Sequence, residues 1–264
     1  MNIKKTLLKL YLKLFGKRSF DKGLINSMES STYSEFCKKV YGTDLCQFNM
    51  LDTEQLEKLL ELLHSAENKS ILDLGCGAGI ISEHLHHVTG AKVTGIDFAP
   101  MAISLANKRT VNNDNVIFLE GDLNNLTLPN EKYDYIIMID TLYFIADFHT
   151  FIQRLLSALN QDGQMIFFYT SRIDKNNANN LTLPDESTLG KVLKKADLTF
   201  KHWNYTENEI SIWNNTSKYA EELKDNFIKE GNKDIYKGRI NETKIIARSL
   251  KKKDLHRFLY HVQT

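Results

Sequence analysis

The sequence predicts an α/β protein in which a mostly parallel sheet is covered by helices on both faces. Apolar, strand-like runs alternate with helical patterns between residues 70 and 170, which is the order produced by repeated strand–helix units. Several of these runs are apolar throughout, and residues 163–169, GQMIFFY, are the clearest case. A strand of this kind is typically buried on both faces, as in parallel sheets.

The first half of this region contains two strand–helix units. Ser70–Leu74 is a short apolar run that ends at glycines, and residues 79–88 follow with a helical pattern. Lys92–Asp97 is rich in β-forming residues and ends on an acid. Pro100–Arg109 then predicts a helix with proline in its first turn.

The second half continues the alternation. Residues 116–119 and 135–139 are two further apolar runs that predict strands. Residues 147–159 repeat apolar side chains at i, i+3 and i+4, which predicts an amphipathic helix before the strand at 163–169.

The flanking sequence adds helices on one side and two strands on the other. Residues 51–63 predict a helix N-capped by Asp52, with a glutamine three residues on as in a capping box. Residues 187–196 predict another helix, and residues 198–205 and 256–262 predict the last two strands. The interval between those strands carries spaced apolar and aromatic residues that indicate helices.

Residues 1–18 form a basic amphipathic pattern with two interpretations. One helical face carries large apolar side chains, with lysines elsewhere: Leu7, Leu8, Tyr11, Leu14 and Phe15. Such a helix binds an anionic membrane or a partner, or it packs on its own domain or a partner subunit. We favour the packed helix over membrane association, because basic amphipathic faces are common. The interspersed lysines and the lack of a small-residue cleavage site disfavour a secretory signal.

The composition is that of an ordinary globular chain and excludes several classes of protein. Lys and Arg number 34 against 33 Asp and Glu, so the net charge of +1 provides no basic field for nucleic acid. No apolar run approaches the roughly 18–20 residues that span a bilayer. Cys37, Cys46 and Cys76 have neither metal-ligand spacing nor the even number of a disulfide framework. We therefore expect a cytoplasmic protein without a bound metal.

The strongest chemical signal is a glycine-rich turn within residues 71–79, ILDLGCGAG. Closely spaced glycines between a strand and a helix let a ligand approach bare backbone. Gly75, Gly77 and Gly79 are one residue too closely spaced for the G-x-G-x-x-G of a dinucleotide site. Asp73, two residues before the first glycine, would repel a pyrophosphate and attract a cationic ligand. The pattern therefore disfavours a nicotinamide dehydrogenase.

Acidic residues follow the next three predicted strands in order. Asp97 ends the second strand and lies 22 residues after Gly75, which is the spacing of one strand–helix–strand unit. Asp122 follows the third strand in FLEGDL, and Asp140 follows the fourth in IDTLYF. An isolated acid at a strand end is more often simply solvated, but the joint spacing of Asp97 and Asp122 favours a shared binding site.

These motifs resemble those of the class I S-adenosylmethionine-dependent methyltransferases over about residues 51–169. The resemblance implies a Rossmann-like, seven-stranded sheet with an antiparallel last strand, and S-adenosylmethionine as the cofactor. It also implies that the glycine turn lies along the methionine part of the cofactor, with Asp97 on the ribose hydroxyls and Asp122 beside the adenine. The cofactor contacts carried over from the family are Asp73, Gly75, Cys76, Gly77, Gly79, Asp97, Phe98, Asp122, Leu123 and Asp140.

The expected topology divides the chain into three parts. These are an N-terminal helical cover at 1–50, a cofactor-binding core at 51–205 and 255–264, and a helical insertion at 206–254. Because the insertion would begin and end at the carboxyl edge of the parallel strands, we expect it to form a lid over the cofactor.

The cover and the lid supply the remaining predicted contacts. In related enzymes the segment before the first strand often touches the cofactor, which implies contacts from Gln47 and Met50. Aromatic residues from the cover, the core and the lid are expected to enclose a small organic acceptor: Tyr33, Tyr169, Trp213 and Tyr236. The alternative is that these aromatics only pack the insertion onto the sheet.

Methyl transfer from a sulfonium is an in-line displacement, in which the protein mainly aligns the reacting atoms. Tyr143, just past the fourth strand, is the predicted catalytic residue through contact with the acceptor, and His149 and His202 are weaker candidates for a base. Cys76 has no identifiable histidine partner, so nucleophilic catalysis is not expected. The histidines around His84 fit a solvated helix better than a metal site.

The predicted function is methyl transfer to a nitrogen, oxygen, sulfur or carbon atom of a small acceptor. The alternatives are a protein of the same fold that binds the cofactor without catalysis, and an enzyme that acts on a lipid or a macromolecule. The neutral net charge and the lack of an Asn/Asp-Pro-Pro-aromatic motif after the fourth strand argue against nucleic acid. A monomer and a homodimer are both compatible with the sequence.

Overall fold

The computed structural model describes residues 22–125, 128–129, 131–172, 184–252 and 255–264. The amphipathic pattern at residues 1–18 lies outside these ranges, so its two interpretations stay open.

Seven strands of the described residues form one sheet in the order β3-β2-β1-β4-β5-β7-β6. The strands are β1 Ser70–Leu74, β2 Lys92–Asp97, β3 Val116–Glu120, β4 Tyr133–Ile139, β5 Leu159–Arg172, β6 Phe200–Asn204 and β7 Leu255–Gln263. The pairs among β1 to β5 are parallel, and β7 is antiparallel to both β5 and β6. The predicted, mostly parallel sheet with an antiparallel last strand is confirmed.

Helices flank this sheet and extend beyond it. Residues 22–29 are helical and are called α1. The other helices are α2 Ser31–Tyr41, α3 Thr53–Leu62, α4 Ile80–Thr89, α5 Pro100–Arg109, α6 Phe148–Ser157, α7 Thr188–Lys195, α8 Thr206–Glu222, α9 Lys224–Lys229 and α10 Lys233–Lys252. The described part of the segment between β6 and β7 thus consists mainly of helices, as predicted. The predicted cap is also present, since Asp52 accepts a hydrogen bond from the backbone of Gln55 at 3.0 Å.

β5 is longer than its apolar run indicates. The predicted helix at 147–159 ends at Ser157, and β5 already begins at Leu159. Leu159 pairs with Tyr133 of β4, and the register between these strands shifts before Tyr135. Pairing with neighbouring strands therefore extends β5 through a polar stretch that carries no strand signal of its own.

The sheet is buried on both faces because successive residues of a strand point to opposite sides. In β1, Leu72 belongs to the core that contains Phe151 of α6 and Leu189 of α7. The preceding residue, Ile71, belongs to the opposite core, which contains Leu59 of α3 and side chains of α4. This arrangement explains why most residues of the central strands are apolar.

The carboxyl ends of the parallel strands meet at one edge of the sheet, and the insertion lies at the same edge. β6 ends beside Phe258 of β7, so α8 to α10 leave and rejoin the sheet there. The backbone N–H of Tyr205, which precedes α8, donates to the Arg257 carbonyl at 2.9 Å. This edge is where open α/β sheets bind ligands.

Candidate active site

The glycine turn after β1 has a left-handed backbone at Gly75, Gly77 and Gly79, with φ angles of 86°, 58° and 80°. A side chain at Gly75 would collide with Thr141 at 2.1 Å, and one at Gly79 would meet the ring of Phe118 at 2.5 Å. A side chain at Gly77 would meet nothing within 4 Å. Two glycines are therefore required by internal packing, whereas Gly77 borders open space.

Asp97, at the end of β2, holds this turn in place. One carboxylate oxygen accepts from the backbone N–H of Gly77 at 2.9 Å, and the other accepts from Ala99 at 3.0 Å. The backbone N–H of Gly75 donates to the Ile96 carbonyl at 2.7 Å. The side chain of Asp97 and the glycine turn are thus fixed against each other at the carboxyl ends of β1 and β2.

Asp73 lies within β1 and is buried. Its carboxylate accepts a hydrogen bond from the Ser82 hydroxyl of α4 at 2.6 Å. Burial raises the pKa of Asp73 to about 6, although the Ser82 hydrogen bond acts in the opposite direction. This carboxyl therefore ties the strand before the turn to the helix after it.

Cys76 is inside the turn, and its thiol is held in the neutral form. Burial raises its pKa well above the ordinary value, and the carboxylates of Asp73 and Asp97 raise it further. A thiol in such surroundings is a poor nucleophile, which agrees with the expectation that Cys76 does not act covalently.

Asp122 and Leu123 follow β3 at the same edge. The Gly121 backbone N–H donates to the Asp97 carbonyl at 2.8 Å, which places Asp122 next to the end of β2. Asp122 is exposed, and its carboxylate accepts from the backbone of Asn124 at 3.0 Å. Leu123 is buried. The fold therefore places the acids after β2 and β3 at the same edge of the sheet, and their contact with a cofactor stays a prediction.

Asp140 follows β4 in a left-handed conformation, with a φ of 58°. Its carboxylate accepts from the Tyr143 hydroxyl at 2.6 Å, from a guanidinium nitrogen of Arg257 at 2.7 Å and from the backbone N–H of Met50 at 2.8 Å. The side chain of Asp140 is only 6% exposed. This single carboxylate joins the end of β4, the last strand and the segment before α3.

Tyr143 is buried in the turn after β4. Its hydroxyl donates to Asp140 and accepts from the backbone N–H of Thr170 at 2.8 Å. Its ring stacks on Tyr169 with the centroids 5.2 Å apart. Burial raises the pKa of Tyr143 well above its usual value, and the Asp140 carboxylate raises it further. The phenol therefore remains protonated and oriented toward Asp140.

Sequence reasoning missed two charged residues that complete this buried network. Arg257 of β7 donates to the Gln55 side chain at 2.6 Å and to the Thr170 hydroxyl at 3.3 Å. Glu209 of α8 accepts from the Thr170 hydroxyl at 2.5 Å and from the Trp213 indole at 3.1 Å. The available signal was an arginine within the apolar strand HRFLYHV, whose side chain needed a partner to be buried.

Gln47 and Met50 lie beside this network in the segment between α2 and α3. The Gln47 side-chain oxygen accepts from the backbone N–H of Leu45 at 3.0 Å, and the Gln47 backbone carbonyl accepts from the Tyr33 hydroxyl at 2.6 Å. The backbone of Met50 donates to Asp140. Both residues are fixed near the carboxyl edge, and their contact with a cofactor stays a prediction.

The four aromatics predicted to enclose the acceptor do not form a single cluster in the described residues. Tyr169 lies with Tyr143 in the core under α6 and α7. Tyr33 and Trp213 are buried in the core between α2 and the insertion. Tyr236 is half-buried, and its hydroxyl donates to Glu221 at 3.0 Å. Their role toward an acceptor stays a prediction.

The two histidines that were weaker candidates for a general base lie on the surface. His149 lies in the first turn of α6 and His202 on the edge strand β6, and both are exposed. Within the described ranges, no three His, Cys, Asp or Glu side chains are grouped as metal ligands. In the same ranges, no helix combines the length and the hydropathy of a membrane span.

The sheet order and the turn after β1 define a Rossmann-like domain. Solved structures with the same fold include a phosphoethanolamine N-methyltransferase 2 from Haemonchus contortus in complex with S-adenosyl-L-methionine. It has 16% identity and a TM-score of 0.69 over 90% of this chain and 58% of that chain. A cyclopropane synthase from Mycobacterium tuberculosis has 12% identity and a TM-score of 0.68 over 91% and 98%.

A family model described as "Methyltransferase domain" matches residues 65–250. The chain therefore belongs to this family of methyltransferase domains.

Two curated relatives are named as O-methyltransferases. A mitochondrial ubiquinone biosynthesis O-methyltransferase from Schizosaccharomyces pombe is 28% identical over 131 residues, which are 47% of each protein. A malonyl-[acyl-carrier protein] O-methyltransferase from Bacillus anthracis is 39% identical over 98 residues, which are 37% of this chain and 36% of the relative. The match thus spans less than half the length of either relative.

Proposed function

We propose that this protein is an S-adenosylmethionine-dependent methyltransferase that acts on a small organic acceptor. The observation that carries the proposal is the Asp97–Gly77 contact at the carboxyl edge, with open space beside Gly77 and Asp122 next to Asp97. Membership of the methyltransferase-domain family supports the same reaction.

The residues at this edge fit the cofactor in their chemistry. Gly77 presents backbone without a side chain, which suits the close approach of the methionine part of the cofactor. Asp97 and Asp122 carry carboxylates, which are acceptors for hydroxyl and amino donors. Phe98 and Leu123, adjacent to these acids, supply apolar surface for the adenine of the cofactor. We infer that these residues hold the cofactor.

The cofactor, when bound, supplies a methyl group on a positively charged sulfur. The chain's own contribution is alignment and exclusion of water, which together are worth up to about 7–11 kcal/mol in a bimolecular reaction. The Arg257–Asp140 ion pair and the hydroxyl of Tyr143 fix the end of β4. Tyr143 is buried and stacks on Tyr169, so it supports this end of β4 from within the core, and its contact with an acceptor stays a prediction.

The names of the relatives decide only which acceptor atoms are screened first. The two curated relatives described above are named for O-methylation, so phenols and carboxylic acids come first, followed by amines and thiols. A neutral hydroxyl acceptor needs a base within about 3 Å. The net charge of +1 supports a small acceptor rather than nucleic acid. A cytoplasmic location and a monomeric or homodimeric state are part of the same proposal.

The proposal is tested by methyl transfer from isotopically labelled S-adenosylmethionine to panels of these four acceptor classes, with mass spectrometry as the readout. The expected result is a methylated product in one class, which disappears in the Asp97→Ala variant. Binding of the cofactor without transfer to any panel would support the non-catalytic alternative instead.

A further inference from the structure

The first described helix lies on the glycine turn. Leu24 of α1 is buried against Ala78, Ala99 and Ala102, and Met28 of the same helix packs on this cluster. Ala78 belongs to the glycine turn, and Ala99 lies two residues after the acid that ends β2. α1 therefore packs on residues that directly flank the part of the edge assigned above to the cofactor.

The position of α1 depends on a short joint. Ser30 is the one non-helical residue between α1 and α2. Its side chain caps α2 by accepting from the backbone N–H of Tyr33 at 3.0 Å. With so short a connection, the geometry at Ser30 determines the angle at which α1 meets the rest of the molecule.

Glu230, which follows α9 in the insertion, binds this joint. One carboxylate oxygen accepts from the Ser30 hydroxyl at 2.6 Å, and the other accepts from the Ser31 hydroxyl at 2.6 Å and the Thr32 backbone N–H at 2.9 Å. The first turn of α2 has no acidic residue of its own, so Glu230 supplies the negative charge that a helix N-terminus favours.

The Glu230 carboxylate is ionised throughout the physiological range. Partial burial raises its pKa, but the hydrogen bonds from Ser30, Ser31 and Thr32 outweigh this effect and lower the pKa to about 2. The contact therefore persists as a set of charge-assisted hydrogen bonds.

α2 is docked on the insertion at two further points. Phe36 packs edge-on against Phe227 of α9, with the ring centroids 6.3 Å apart. Near the end of α2, the Lys39 ammonium lies 3.0 Å from the Glu222 carboxylate of α8. α2 and the insertion thus form one layer, from which α1 extends over the glycine turn.

We propose that Glu230 is a positioning residue for cofactor retention, because it fixes the joint between α1 and α2 and so holds α1 against the glycine turn. This inference rests on the proposed function. A cofactor bound beside α1 is released faster when α1 moves away, and a weaker joint makes this local opening more frequent. Besides the joint, Glu230 accepts a hydrogen bond from the Asn232 side chain at 3.2 Å, and it is not among the residues assigned above to the cofactor.

The test is the dissociation rate of radiolabelled S-adenosylhomocysteine, measured by displacement with excess unlabelled ligand from the full chain. Glu230→Gln is expected to speed release about tenfold, because a neutral amide loses the charge-assisted bonds. Glu230→Asp keeps the charge and is expected to restore part of the slow release. The matched control is Glu222→Gln, which removes a carboxylate contact at the other end of α2 and should leave the rate unchanged.

Hydrogen exchange separates this effect from a general loss of stability. In Glu230→Gln, the amides of residues 22–29 are expected to exchange faster, while those of the sheet exchange as in the parent protein. Equal release rates in the parent and in Glu230→Gln would overturn the role of Glu230. No binding of S-adenosylhomocysteine to the parent protein would instead overturn the proposed function.

Discussion

Replacement of Gly77 by alanine tests whether the open space beside the turn belongs to the cofactor. Gly77 has a φ of 58°, and an added Cβ would meet nothing within 4 Å. The cost to stability is therefore limited to the left-handed backbone, about 1–2 kcal/mol for a residue with a side chain. For a chain of this length, that cost lowers the melting temperature by roughly 2–8 °C.

We expect Gly77→Ala to cost more in the free energy of cofactor binding than in the free energy of unfolding. The new methyl group projects into the space from which a ligand would approach the bare backbone. We expect the affinity for S-adenosylhomocysteine to fall about tenfold to a hundredfold, which corresponds to about 1.4–2.8 kcal/mol.

Gly90 provides the matched control. It has a φ of 72° at the far end of α4, and an added Cβ would make only an ordinary contact with Glu67 at 3.5 Å. Gly90→Ala thus carries the same backbone strain away from the site and should keep the parent affinity. Calorimetric titration and chemical denaturation of both variants give the two quantities. Equal affinities in Gly77→Ala and Gly90→Ala would refute the placement of the cofactor beside this turn.

Three further predictions concern buried polar and charged side chains. Arg257→Met removes the cationic partner of Asp140 and leaves the carboxylates of Asp140 and Glu209 buried. The free energy of unfolding, measured by urea denaturation, should therefore fall by about 3–5 kcal/mol. A fall of less than about 1 kcal/mol would contradict the role of Arg257 in this network. Tyr143→Phe should cost about 1–3 kcal/mol and lower turnover while the cofactor affinity stays unchanged; a reduced affinity would place Tyr143 at the cofactor instead. The folded-state pKa of Asp73 is raised to about 6, so its contribution to stability is complete below the unfolded pKa, near 4, and is lost as the pH rises through 6. In the Asp73→Asn variant, the unfolding free energy measured between pH 4 and pH 7 should lose about 3 kcal/mol of this pH dependence. An unchanged pH dependence would contradict the raised pKa of Asp73.

The parts of the fold that depend on local signals could be predicted from the sequence. The bounds of Ser70–Leu74, Lys92–Asp97 and Pro100–Arg109 agree with the structure, because apolar runs, caps and proline act within a few residues. The start of β5 at Leu159 could not be predicted in this way, since it depends on pairing with Tyr133.

The same distinction applies to the candidate site. The glycine turn, Asp97 and Asp122 lie on consecutive strand–helix units, so their spacing along the chain determines that they meet. Arg257 and Asp140 are separated by 117 positions, and their contact depends on the antiparallel placement of β7 between β5 and β6. No local pattern encodes such a pair, and only an arginine in an apolar strand indicates that a partner exists.

The identity of the cofactor is tested by calorimetric titration of the intact protein with S-adenosylmethionine, S-adenosylhomocysteine and NAD. We expect micromolar binding of the first two and no binding of NAD. Binding of NAD without either adenosyl compound would contradict this expectation and would make the glycine turn part of a nicotinamide site.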